Sequence, residues 1–375
     1  MVELICLDMT QGPHLVDAMK RAWDEGHAIF PIDQRLPPAA KRSLIQAVRP
    51  TRIIEANGET TLPEGVPAEP GDAVVIATSG SSGLPKAVIH THASLLASAR
   101  ATSQRLAATS DDVWLACLPV SHIGGLSVVT RSLLTGSRVI VQAKFTVEGY
   151  EDAVREGATL VSLVHTALSR VDASLYRTVL LGGSAAPEDL PVNVVTTYGM
   201  TETGSGVVYD RRPLDGVDIK IQDDDILVRG AMLMRGYRNA SSTVDADGWL
   251  HTGDIGSVSS DGQLYVAGRR GDLIISGGEN VWPEPVERVL MTMKTVRDCA
   301  VVGLPDSEWG KRVVALLETD DAVEMPLESV RAVVKEHLPA YMAPREVRFG
   351  KVPRTASGKI QRHLIVEALS GSPHD

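Results

Sequence analysis

Residues 78–86, TSGSSGLPK, combine the residue types that bind phosphate. The glycines permit unusual backbone dihedral angles, the hydroxyls donate hydrogen bonds, and Lys86 supplies one positive charge. The segment follows an apolar strand pattern, AVVIAT (73–78), and α/β folds place ligands at the carboxyl ends of strands. It differs from a Walker A loop, because Leu-Pro separates Gly83 from Lys86. We therefore expect a phosphate cradle of another type, although an ordinary surface turn has the same composition.

Three further segments carry groups that suit a nucleotide site. Tyr198 and Glu202 lie in TTYGMTETG, where an aromatic face could stack on a base and a carboxylate could bind Mg²⁺ as a hard oxygen ligand. Asp254 lies in HTGDIG, and Lys359 lies in PRTASGKIQR. Taken singly, Glu202 is better explained as a solvated acid near a turn, Asp254 as part of a β-turn and Lys359 as a surface lysine. Only their order along the chain favours the functional interpretation.

An alternation of strand and helix patterns positions these groups. Leu15, Met19 and Trp23 recur at helical spacing, and PPAAKRSLIQAV (37–48) is a second helix pattern. The strand-like segments are AIFPI (28–32), TRIIEA (51–56), AVVIAT, VWLACLPV (113–120), SRVIVQA (137–143), ATLVSLV (158–164), YRTVLLGG (176–183) and VNVVTTYG (192–199). A connecting loop is expected over 57–71. The pattern predicts an α/β fold with parallel-type sheets and helices.

The residue pattern changes in the second part of the chain. Short strands with Asp-Gly turns over 217–264 indicate an antiparallel β portion. Beyond it, EPVERVLMTM and LESVRAVVKEHL are helix patterns, DCAVVGL and RVVALLE are strand patterns, and an extended segment surrounds VRFGKVP. We expect a large N-terminal domain over 1–270 and a small α+β domain over 271–375.

Charge and hydropathy exclude several classes of protein. The 375 residues carry 37 Lys and Arg against 47 Asp and Glu, with the basic residues scattered, which argues against a nucleic-acid or anionic-membrane partner. The start resembles no signal peptide, and no stretch approaches the roughly 18 apolar residues of a spanning helix. We expect a cytoplasmic protein. Its three cysteines have no metal-ligand spacing and are expected to be reduced packing residues.

Together these segments resemble the adenylate-forming superfamily of acyl-CoA synthetases, luciferases and peptide-synthetase adenylation domains. The resemblance runs from about Ala73 to the end and includes LLGGSAAPEDLP (180–191) and GRRGDLIISGGENVWPEPVE (268–287). It implies that ATP and Mg²⁺ convert a small carboxylic acid into an acyl-adenylate, and that a thiol, coenzyme A, then receives the acyl group. No nucleic-acid partner and no stable membrane insertion are implied, and a homodimer is left open.

The resemblance also assigns roles to residues. It implies that Tyr198 stacks near the adenine, Thr201 contacts the α-phosphate, Asp254 and Arg269 bind the ribose, and Lys359 serves the adenylation step. Catalysis is assigned to Lys359, Glu202, Thr201 and His122, and the metal to Glu202 and Thr78. The full set expected to bind ATP or AMP is Thr78, Ser79, Gly80, Ser81, Ser82, Gly83, Lys86, Gly182, Gly183, Ser184, Thr197, Tyr198, Gly199, Met200, Asp254 and Arg269.

In this superfamily one site serves two half-reactions, because the small domain rotates between them. Gly271 occupies the hinge position, and glycine tolerates a large change of dihedral angles. After the rotation the segment that contains Ser276, Gly277, Gly278 and Glu279 is expected to approach the reacting centre in place of Lys359.

Two departures from the superfamily pattern stand out. The region before Ala73 is shorter than usual, which puts the substrate channel and oligomer contacts in doubt, and Ser82 and Ala87 replace the usual Thr and Gly. The second departure is conservative.

The details within the superfamily favour one substrate. LPVSHIGGL, YGMTETGSGVVYDRRPLDGV and GRRGDLIISGGENVWPEPVE resemble the o-succinylbenzoate–CoA ligases of menaquinone biosynthesis, in the compact actinobacterial form. His122 is expected near the acyl pocket, or else it is a structural histidine. Arg131 and Arg211 are candidates for binding a second carboxylate, and either is equally a surface arginine. A ligase for another aryl or medium-chain acid, a carrier-loading adenylation enzyme and a non-enzymatic nucleotide sensor remain alternatives.

Overall fold

The computed structural model describes residues 1–78, 85–183, 189–320, 323–355, 358 and 360–370. The chain divides into two compact units. Unit 1 comprises Met1–Lys220 and Leu227–His251, and unit 2 comprises Ile221–Ile226 and the chain from Thr252 onward. Part of the predicted antiparallel β portion therefore belongs to the same compact unit as the C-terminal region. The boundary predicted at Gly271 is the point about which the small domain is expected to rotate. A division into compact units does not test such a rotation, so this boundary stays a prediction.

Helices and strands alternate through most of the chain. The helices are α1 Pro13–Asp24, α2 Pro38–Val48, α3 His92–Arg105, α4 Ile123–Thr135, α5 Val147–Arg155, α6 His165–Leu168, α7 Pro283–Leu290, α8 Leu327–His337 and α9 Arg362–Ser370. The strands of the N-terminal part are β1 Leu4–Asp8, β2 Ala28–Pro31, β3 Arg52–Glu55, β4 Gly58–Thr61, β5 Asp72–Thr78, β6 Lys86–Thr91, β7 Val113–Ala116, β8 Arg138–Val141, β9 Leu160–Val164, β10 Thr178–Gly182, β11 Val194–Met200, β12 Ser205–Tyr209 and β13 Arg212–Pro213. They are followed by β14 Val217–Gln222, β15 Asp225–Gly230, β16 Gly236–Tyr237, β17 Leu250–Val258, β18 Leu264–Arg269, β19 Ile274–Ser276, β20 Glu279–Val281, β21 Val296–Asp306, β22 Gly310–Thr319 and β23 Glu346–Phe349.

The first sheet of unit 1 has the strand order β16-β6-β5-β2-β1-β3-β4. Its centre is parallel, because β1 pairs with β2 and β3, and β2 pairs with β5, in parallel register. Both outer parts are antiparallel. Helix α1 buries Leu15 and Met19, as their spacing predicts, and the Trp23 indole donates to the carbonyl oxygen of Ala73 at 2.9 Å.

The second sheet of unit 1 has the order β13-β12-β11-β10-β9-β7-β8. It is parallel from β8 to β11, and β12 and β13 add antiparallel strands at one edge. Leu115, Val161, Leu163 and Leu181 pack with the fully buried Tyr150 on one face of this sheet. The carboxyl ends of β10 and β11 therefore lie on a rigid support, which suits a ligand site.

Unit 2 centres on a sheet in the order β20-β19-β22-β21, with β23 paired to β22. Alternate residues of β21 and β22 point to opposite faces, as the two-residue period of a strand requires. Val301 and Ala315 pack with α7 and α8, whereas Val302 and Leu316 pack with Ile365 of α9. The small α+β region is thus a sheet covered on both faces. A further four-stranded sheet has the order β14-β15-β17-β18.

Several local predictions differ from the structure. The segment 57–71 is more than a loop, because β4 pairs with β3 in antiparallel register. The strand expected over 113–120 ends at Ala116, and the chain turns towards α4. Helix α9 follows the motif at 353–362 and was not expected. Cys6, Cys117 and Cys299 are buried and unbonded, as expected, and no helix of the described chain is long and apolar enough to cross a membrane.

Candidate active site

The phosphate-cradle segment connects two antiparallel strands. Thr78 ends β5 and Lys86 begins β6, and the two residues are register partners with the Thr78 hydroxyl 3.5 Å from the Lys86 carbonyl oxygen. Ser79, Gly80, Ser81, Ser82 and Gly83 lie outside the described residues. The antiparallel pairing of β5 with β6 differs from the strand-to-helix arrangement that flanks a Walker A loop. Asn239 fixes the Lys86 side of the hairpin, accepting from the Ala87 amide at 2.9 Å and donating to the Pro85 carbonyl at 2.8 Å.

Strand β11 carries the second group of predicted residues, Thr197, Tyr198, Gly199 and Met200. Its pairing with β12 shifts between Tyr198 and Gly199. A side chain at Gly199 would meet the Ser205 carbonyl oxygen at 2.2 Å, so only glycine fits this approach of two backbones. The strand then passes into a short 3₁₀ turn, Thr201–Thr203. Thr203 closes the turn, because its hydroxyl accepts from the Met200 amide at 2.9 Å.

The neighbouring strand β10 ends at the predicted glycine pair. The Thr197 hydroxyl donates to the Leu181 carbonyl oxygen at 3.1 Å, which places Gly182 directly beside β11. A Cβ atom at Gly182 would lie 2.7 Å from that hydroxyl oxygen, and Gly183 has a left-handed φ of 92°. Ser184 lies outside the described residues. The structure therefore brings the two glycines together with β11, as a surface along adenine would require.

Glu202, one of the predicted catalytic residues, is held through its backbone and its side chain. Its carbonyl oxygen accepts from the Met234 amide at 2.8 Å, and its Oε1 accepts from the Tyr237 hydroxyl at 2.7 Å. The Lys86 ammonium nitrogen lies 5.0 Å from the centroid of the same tyrosine ring. The preceding residue, Thr201, accepts at its carbonyl oxygen from His90 Nε2 at 2.7 Å. Lys86 and Glu202, which belong to segments far apart along the chain, thus meet at one ring.

The Glu202 region fits a magnesium ion. Mg²⁺ is commonly held by one or two carboxylates together with substrate phosphates and water, rather than by a complete cage of protein ligands. A single oriented carboxylate next to Lys86, the lysine predicted to bind phosphate, matches that donor set. Thr78, the other predicted metal ligand, is the register partner of Lys86 in the pairing of β5 with β6.

His122 belongs to a polar group at the start of α4. Its Nε2 is 3.3 Å from Asp33 Oδ2 and 3.2 Å from an Arg35 guanidinium nitrogen. Burial lowers the pKa of His122, although Asp33 opposes this effect, so the imidazole is expected to be neutral at pH 7. Burial acts to raise the pKa of Asp33, but the hydrogen bonds from Arg35 outweigh it and lower the pKa to about 2. Sequence reasoning missed both Asp33 and Arg35, which lie far from any recognisable motif.

Arg131 and Arg211 have very different surroundings. Arg131 is 2% exposed and stacks on Trp114 with its guanidinium carbon 4.6 Å from the ring centroid. No residue in the described part of the chain hydrogen-bonds its Nε or Nη1. Arg211 is exposed and lies in the turn between β12 and β13 with a left-handed φ of 65°. A buried cation with unsatisfied donors is costly unless an anion reaches it, which singles out Arg131.

In unit 2, Asp254 and Arg269 are register partners on β17 and β18, with Arg269 Nε 2.9 Å from Asp254 Oδ1. Thr252 supports the aspartate, because its hydroxyl accepts from the Asp254 amide at 3.0 Å and donates to the Ile226 carbonyl oxygen at 2.7 Å. The two residues predicted to bind ribose are therefore neighbours.

The predicted thiolation segment is the tight hairpin between β19 and β20. Gly277 and Gly278 form its two-residue turn with φ values of 62° and 83°, the conformation in which glycine is favoured. The Trp309 ring covers Gly277, and the Arg345 guanidinium stacks on that ring. The Ser276 hydroxyl is buried and has no hydrogen-bond partner among the described residues, whereas Glu279 is exposed. Gly271 is exposed in a 3₁₀ turn where a side chain would meet no atom within 4 Å.

Lys359 lies outside the described residues, but both its flanks are anchored. Arg354 forms two hydrogen bonds to the Asp298 carboxylate, at 2.7 and 2.6 Å. Arg362 forms two to the Glu287 carboxylate, both at 2.7 Å. Glu287 is buried and also accepts from the Val301 amide at 2.7 Å. These hydrogen bonds attach the motif at 353–362 to β21 and α7.

Comparison with known proteins decides the family. The profile described as AMP-binding enzyme matches residues 32–238, and the profile of the AMP-binding enzyme C-terminal domain matches 285–359. The 2-succinylbenzoate–CoA ligase of Bacillus pumilus (strain SAFR-032) is 34% identical over 97% of this chain and 87% of its own length. This chain belongs to the AMP-binding, adenylate-forming enzymes. The predictions of the superfamily, of the fold class and of an AMP-forming acid–thiol ligase are confirmed.

Solved structures of this enzyme family show the same fold. The o-succinylbenzoate CoA synthetase of Bacillus subtilis, in complex with its acyl-adenylate intermediate, superposes with a TM-score of 0.86 at 27% identity, over 100% of this chain and 89% of that one. A structure of the same synthetase with ATP and a magnesium ion has a TM-score of 0.86 at 28% identity, over 96% and 88%. Tyr237 and His90 lie inside the region that the AMP-binding profile matches, and Asn239 follows it directly, but sequence reasoning singled out none of these three residues.

Proposed function

We propose that this enzyme is an ATP-dependent carboxylate–CoA ligase that activates o-succinylbenzoate for menaquinone biosynthesis. The proposal rests on the family and on one observation, the meeting of Lys86 and Glu202 at the Tyr237 ring. A lysine for phosphate and a carboxylate for metal, fixed next to each other, suit the α-phosphate chemistry of an adenylation. The Bacillus pumilus relative, which matches 97% of this chain, is a 2-succinylbenzoate–CoA ligase.

The first half-reaction is a problem of charge. An oxygen of the substrate carboxylate bonds to the α-phosphorus of ATP while the bond from that phosphorus to pyrophosphate breaks. An anion approaches a polyanion, so positioning and charge neutralisation matter more than proton transfer. We assign Lys86, Lys359 and the 79–83 segment to the phosphates and Thr201 to the α-phosphate. When bound, Mg²⁺ would add positive charge beside Glu202.

We assign the nucleoside to the two strand ends of unit 1 and to the β17–β18 pair. Gly182, Gly183, Ser184 and the β11 residues Thr197 to Met200 provide the surface for adenine, with Tyr198 as its aromatic member. Asp254, with Arg269 beside it, accepts hydrogen bonds from the ribose hydroxyls. A carboxylate accepts hydrogen bonds only, which makes it a suitable partner for a diol.

The second half-reaction transfers the acyl group to coenzyme A. The thiolate sulfur bonds to the acyl carbonyl carbon, and AMP leaves with the electrons of the broken bond. We propose that rotation about Gly271 exchanges Lys359 for the β19–β20 hairpin. The two positive-φ glycines of that hairpin make a narrow turn, which suits a segment that lies along a thiol's approach.

Arg131 supports a substrate with two carboxylates. Activation consumes one carboxylate of o-succinylbenzoate, and the other must be bound as an anion. Arg131 is buried, stacked on Trp114 and unsatisfied at Nε and Nη1 within the described part of unit 1. A guanidinium binds a carboxylate through two parallel hydrogen bonds, so this residue offers both charge and geometry. His122, held neutral by burial, is assigned to the acyl pocket.

ATP–pyrophosphate exchange over a panel of acids tests the proposal. We expect exchange with o-succinylbenzoate to exceed that with benzoate or octanoate by about tenfold or more, since these lack the second carboxylate. Adding coenzyme A should yield the thioester and AMP. Faster exchange with another acid would replace the substrate, exchange without transfer to coenzyme A would favour carrier loading, and no exchange would favour a nucleotide sensor. A cytoplasmic location and a homodimer belong to the proposal, and sedimentation checks the latter.

A further inference from the structure

Tyr237 lies at the centre of the Lys86–Glu202 pair but belongs to neither of the segments that carry them. It is on the two-residue strand β16, which pairs with β6 so that Tyr237 is opposite Val88. Its hydroxyl donates to Glu202 Oε1 at 2.7 Å, and its ring lies 5.0 Å from the Lys86 ammonium. The ring therefore contacts a cation on one side and an anion at its polar end.

The backbone around Tyr237 is fixed on both sides. The Arg235 amide donates to the Ile89 carbonyl oxygen at 2.9 Å, and the Arg238 amide donates to the Ala87 carbonyl oxygen at 2.8 Å. The Asn239 side chain then bridges the amide of Ala87 and the carbonyl of Pro85. A tyrosine ring has only two side-chain torsions, so an anchored backbone leaves its hydroxyl little freedom.

The backbone at Glu202 is also fixed by hydrogen bonds, so only the orientation of its side chain can vary. The Met234 amide binds the Glu202 carbonyl, and the buried His90 binds the Thr201 carbonyl. Glutamate has three side-chain torsions, and the hydrogen bond from Tyr237 restricts the orientation of the carboxylate. A metal ligand that is already oriented loses less conformational entropy when the metal binds.

Lys86 and Glu202 also have opposite charges on neighbouring elements. Without an intervening group, a flexible ammonium and a flexible carboxylate can form an ion pair with each other, which would occupy both groups needed by Mg²⁺ and ATP. The aromatic ring attracts the ammonium to its face, while the hydroxyl keeps the carboxylate at its edge. The two charges are thus stabilised separately.

We propose that Tyr237 is a positioning residue for adenylation, which orients the Glu202 carboxylate towards the metal and keeps Lys86 from pairing with it. The inference deepens the proposed function, because it concerns the same phosphate and metal site. The proposal predicts two separate effects. The Tyr237 hydroxyl determines how activity and binding depend on the Mg²⁺ concentration, and the Tyr237 ring determines the affinity for the nucleotide.

Two substitutions separate these parts. Tyr237→Phe removes the hydroxyl and keeps the ring, and Tyr237→Leu removes both. Binding of a non-hydrolysable ATP analogue is measured by calorimetry over a series of Mg²⁺ concentrations, and pyrophosphate exchange is measured over the same series. For Tyr237→Phe we expect the half-saturating Mg²⁺ concentration to rise about tenfold, the loss that one hydrogen bond to a charged group produces. Excess Mg²⁺ should restore its exchange rate, and Tyr237→Leu should also bind the analogue more weakly at saturating Mg²⁺.

Tyr176→Phe is the matched control. Its hydroxyl donates to the Tyr150 carbonyl oxygen at 3.0 Å inside the core of the second sheet, far from Lys86 and Glu202 in the chain. We expect it to lower thermal stability without changing the Mg²⁺ dependence. Glu202→Gln serves as a second comparison, because excess Mg²⁺ should not rescue a variant that lacks the carboxylate.

The outcomes distinguish this inference from the proposed function. An unchanged Mg²⁺ dependence in Tyr237→Phe, or an equal change in Tyr176→Phe, would overturn the positioning role even if wild-type exchange is strong. Weaker Mg²⁺-dependent binding of the analogue in Tyr237→Phe alone would support that role, even if no acid in the panel supports exchange. In that last case the proposed acid activation fails and the positioning inference stands.

Discussion

Arg269 and Asp254 face each other on adjacent strands, and the Arg269 guanidinium binds the Asp254 carboxylate with Nε 2.9 Å from Oδ1. The aspartate side chain is 9% exposed and the arginine side chain 47% exposed. The carboxylate is therefore largely buried, while the arginine that orients it borders solvent. Because the two residues are register partners, the β17–β18 pairing alone brings the carboxylate that we propose as the acceptor for a ribose hydroxyl next to a cation.

This relationship predicts a specific effect on ATP binding. Arg269→Met should raise the KM for ATP about tenfold, because Asp254 loses the group that orients it. Arg270→Met is the matched control, since Arg270 binds Asp225 at 2.8 Å instead. Pyrophosphate exchange at varied ATP measures both variants. Equal changes in the two KM values would indicate a general loss of structure rather than a ribose contact.

Lys359→Ala should separate the two half-reactions. We expect it to lower pyrophosphate exchange about 10²–10³-fold, the effect of removing one group that stabilises charge in a transition state. Thioester formation from a supplied acyl-adenylate and coenzyme A should stay close to the wild-type rate, because Lys359 is not needed once pyrophosphate has left. Parallel assays of the two steps measure this. If both steps slowed equally, the exchange of Lys359 for the β19–β20 hairpin would be wrong.

Arg131→Met should act on the acid and leave the nucleotide unaffected. The buried guanidinium is assigned to the second carboxylate of the substrate, and losing one charged hydrogen-bonding group raises KM by about 10–100-fold. The KM for ATP should not change. Arg211→Met, at the exposed turn between β12 and β13, is the control and should leave both constants unaltered. A normal KM for o-succinylbenzoate in Arg131→Met would remove this arginine from the acyl pocket.

The sequence predicted the secondary structure and the fold well, but it predicted few of the side-chain contacts between distant segments. The α/β alternation, the antiparallel portion and the family follow from local patterns, because the strand ends and glycine turns that carry the site are encoded within single segments. Gly199 is an example: the backbone at Ser205 comes so close that only glycine fits at this position. The residue type in the motif is therefore set directly by the local geometry.

Side-chain contacts between segments that are far apart in the sequence could not be predicted in this way. Tyr237 meets Glu202 only because β16 pairs with β6, and a two-residue strand has no readable periodicity. Asp33 and Arg35 reach His122 from a distant part of the chain, although each looks like an ordinary polar residue in sequence. Helix α9 was missed because its consecutive apolar residues, Leu364, Ile365 and Val366, are a short run that fits a strand as well as a helix. In the structure Ile365 packs against residues of β21 and β22.

The last prediction concerns the stability of unit 2 as a function of pH. Burial raises the pKa of Glu287 to about 7, even though the Arg362 guanidinium opposes this. An unfolded chain releases the proton of a glutamic acid near its ordinary pKa of 4.5. Between these two values the folded state holds a proton that the unfolded state has lost, so unfolding releases a proton and a rising pH favours unfolding. The stabilisation is complete below about pH 4.5 and is lost above about pH 7.

Glu287→Gln isolates this effect, because glutamine keeps the shape of the neutral acid and does not titrate. The free energy of unfolding of the wild type, relative to Glu287→Gln, should fall by about 2 kcal/mol between pH 5 and pH 8. Glu346→Gln is the control: Arg312 and Arg348 lower the pKa of Glu346 against the effect of burial, so it is ionised in both states throughout this range. Its difference from the wild type should therefore be constant in denaturant titrations. A flat or rising difference for Glu287→Gln would mean that Arg362 keeps Glu287 ionised, and that the ion pair anchors the Lys359 motif at every pH from 5 to 8.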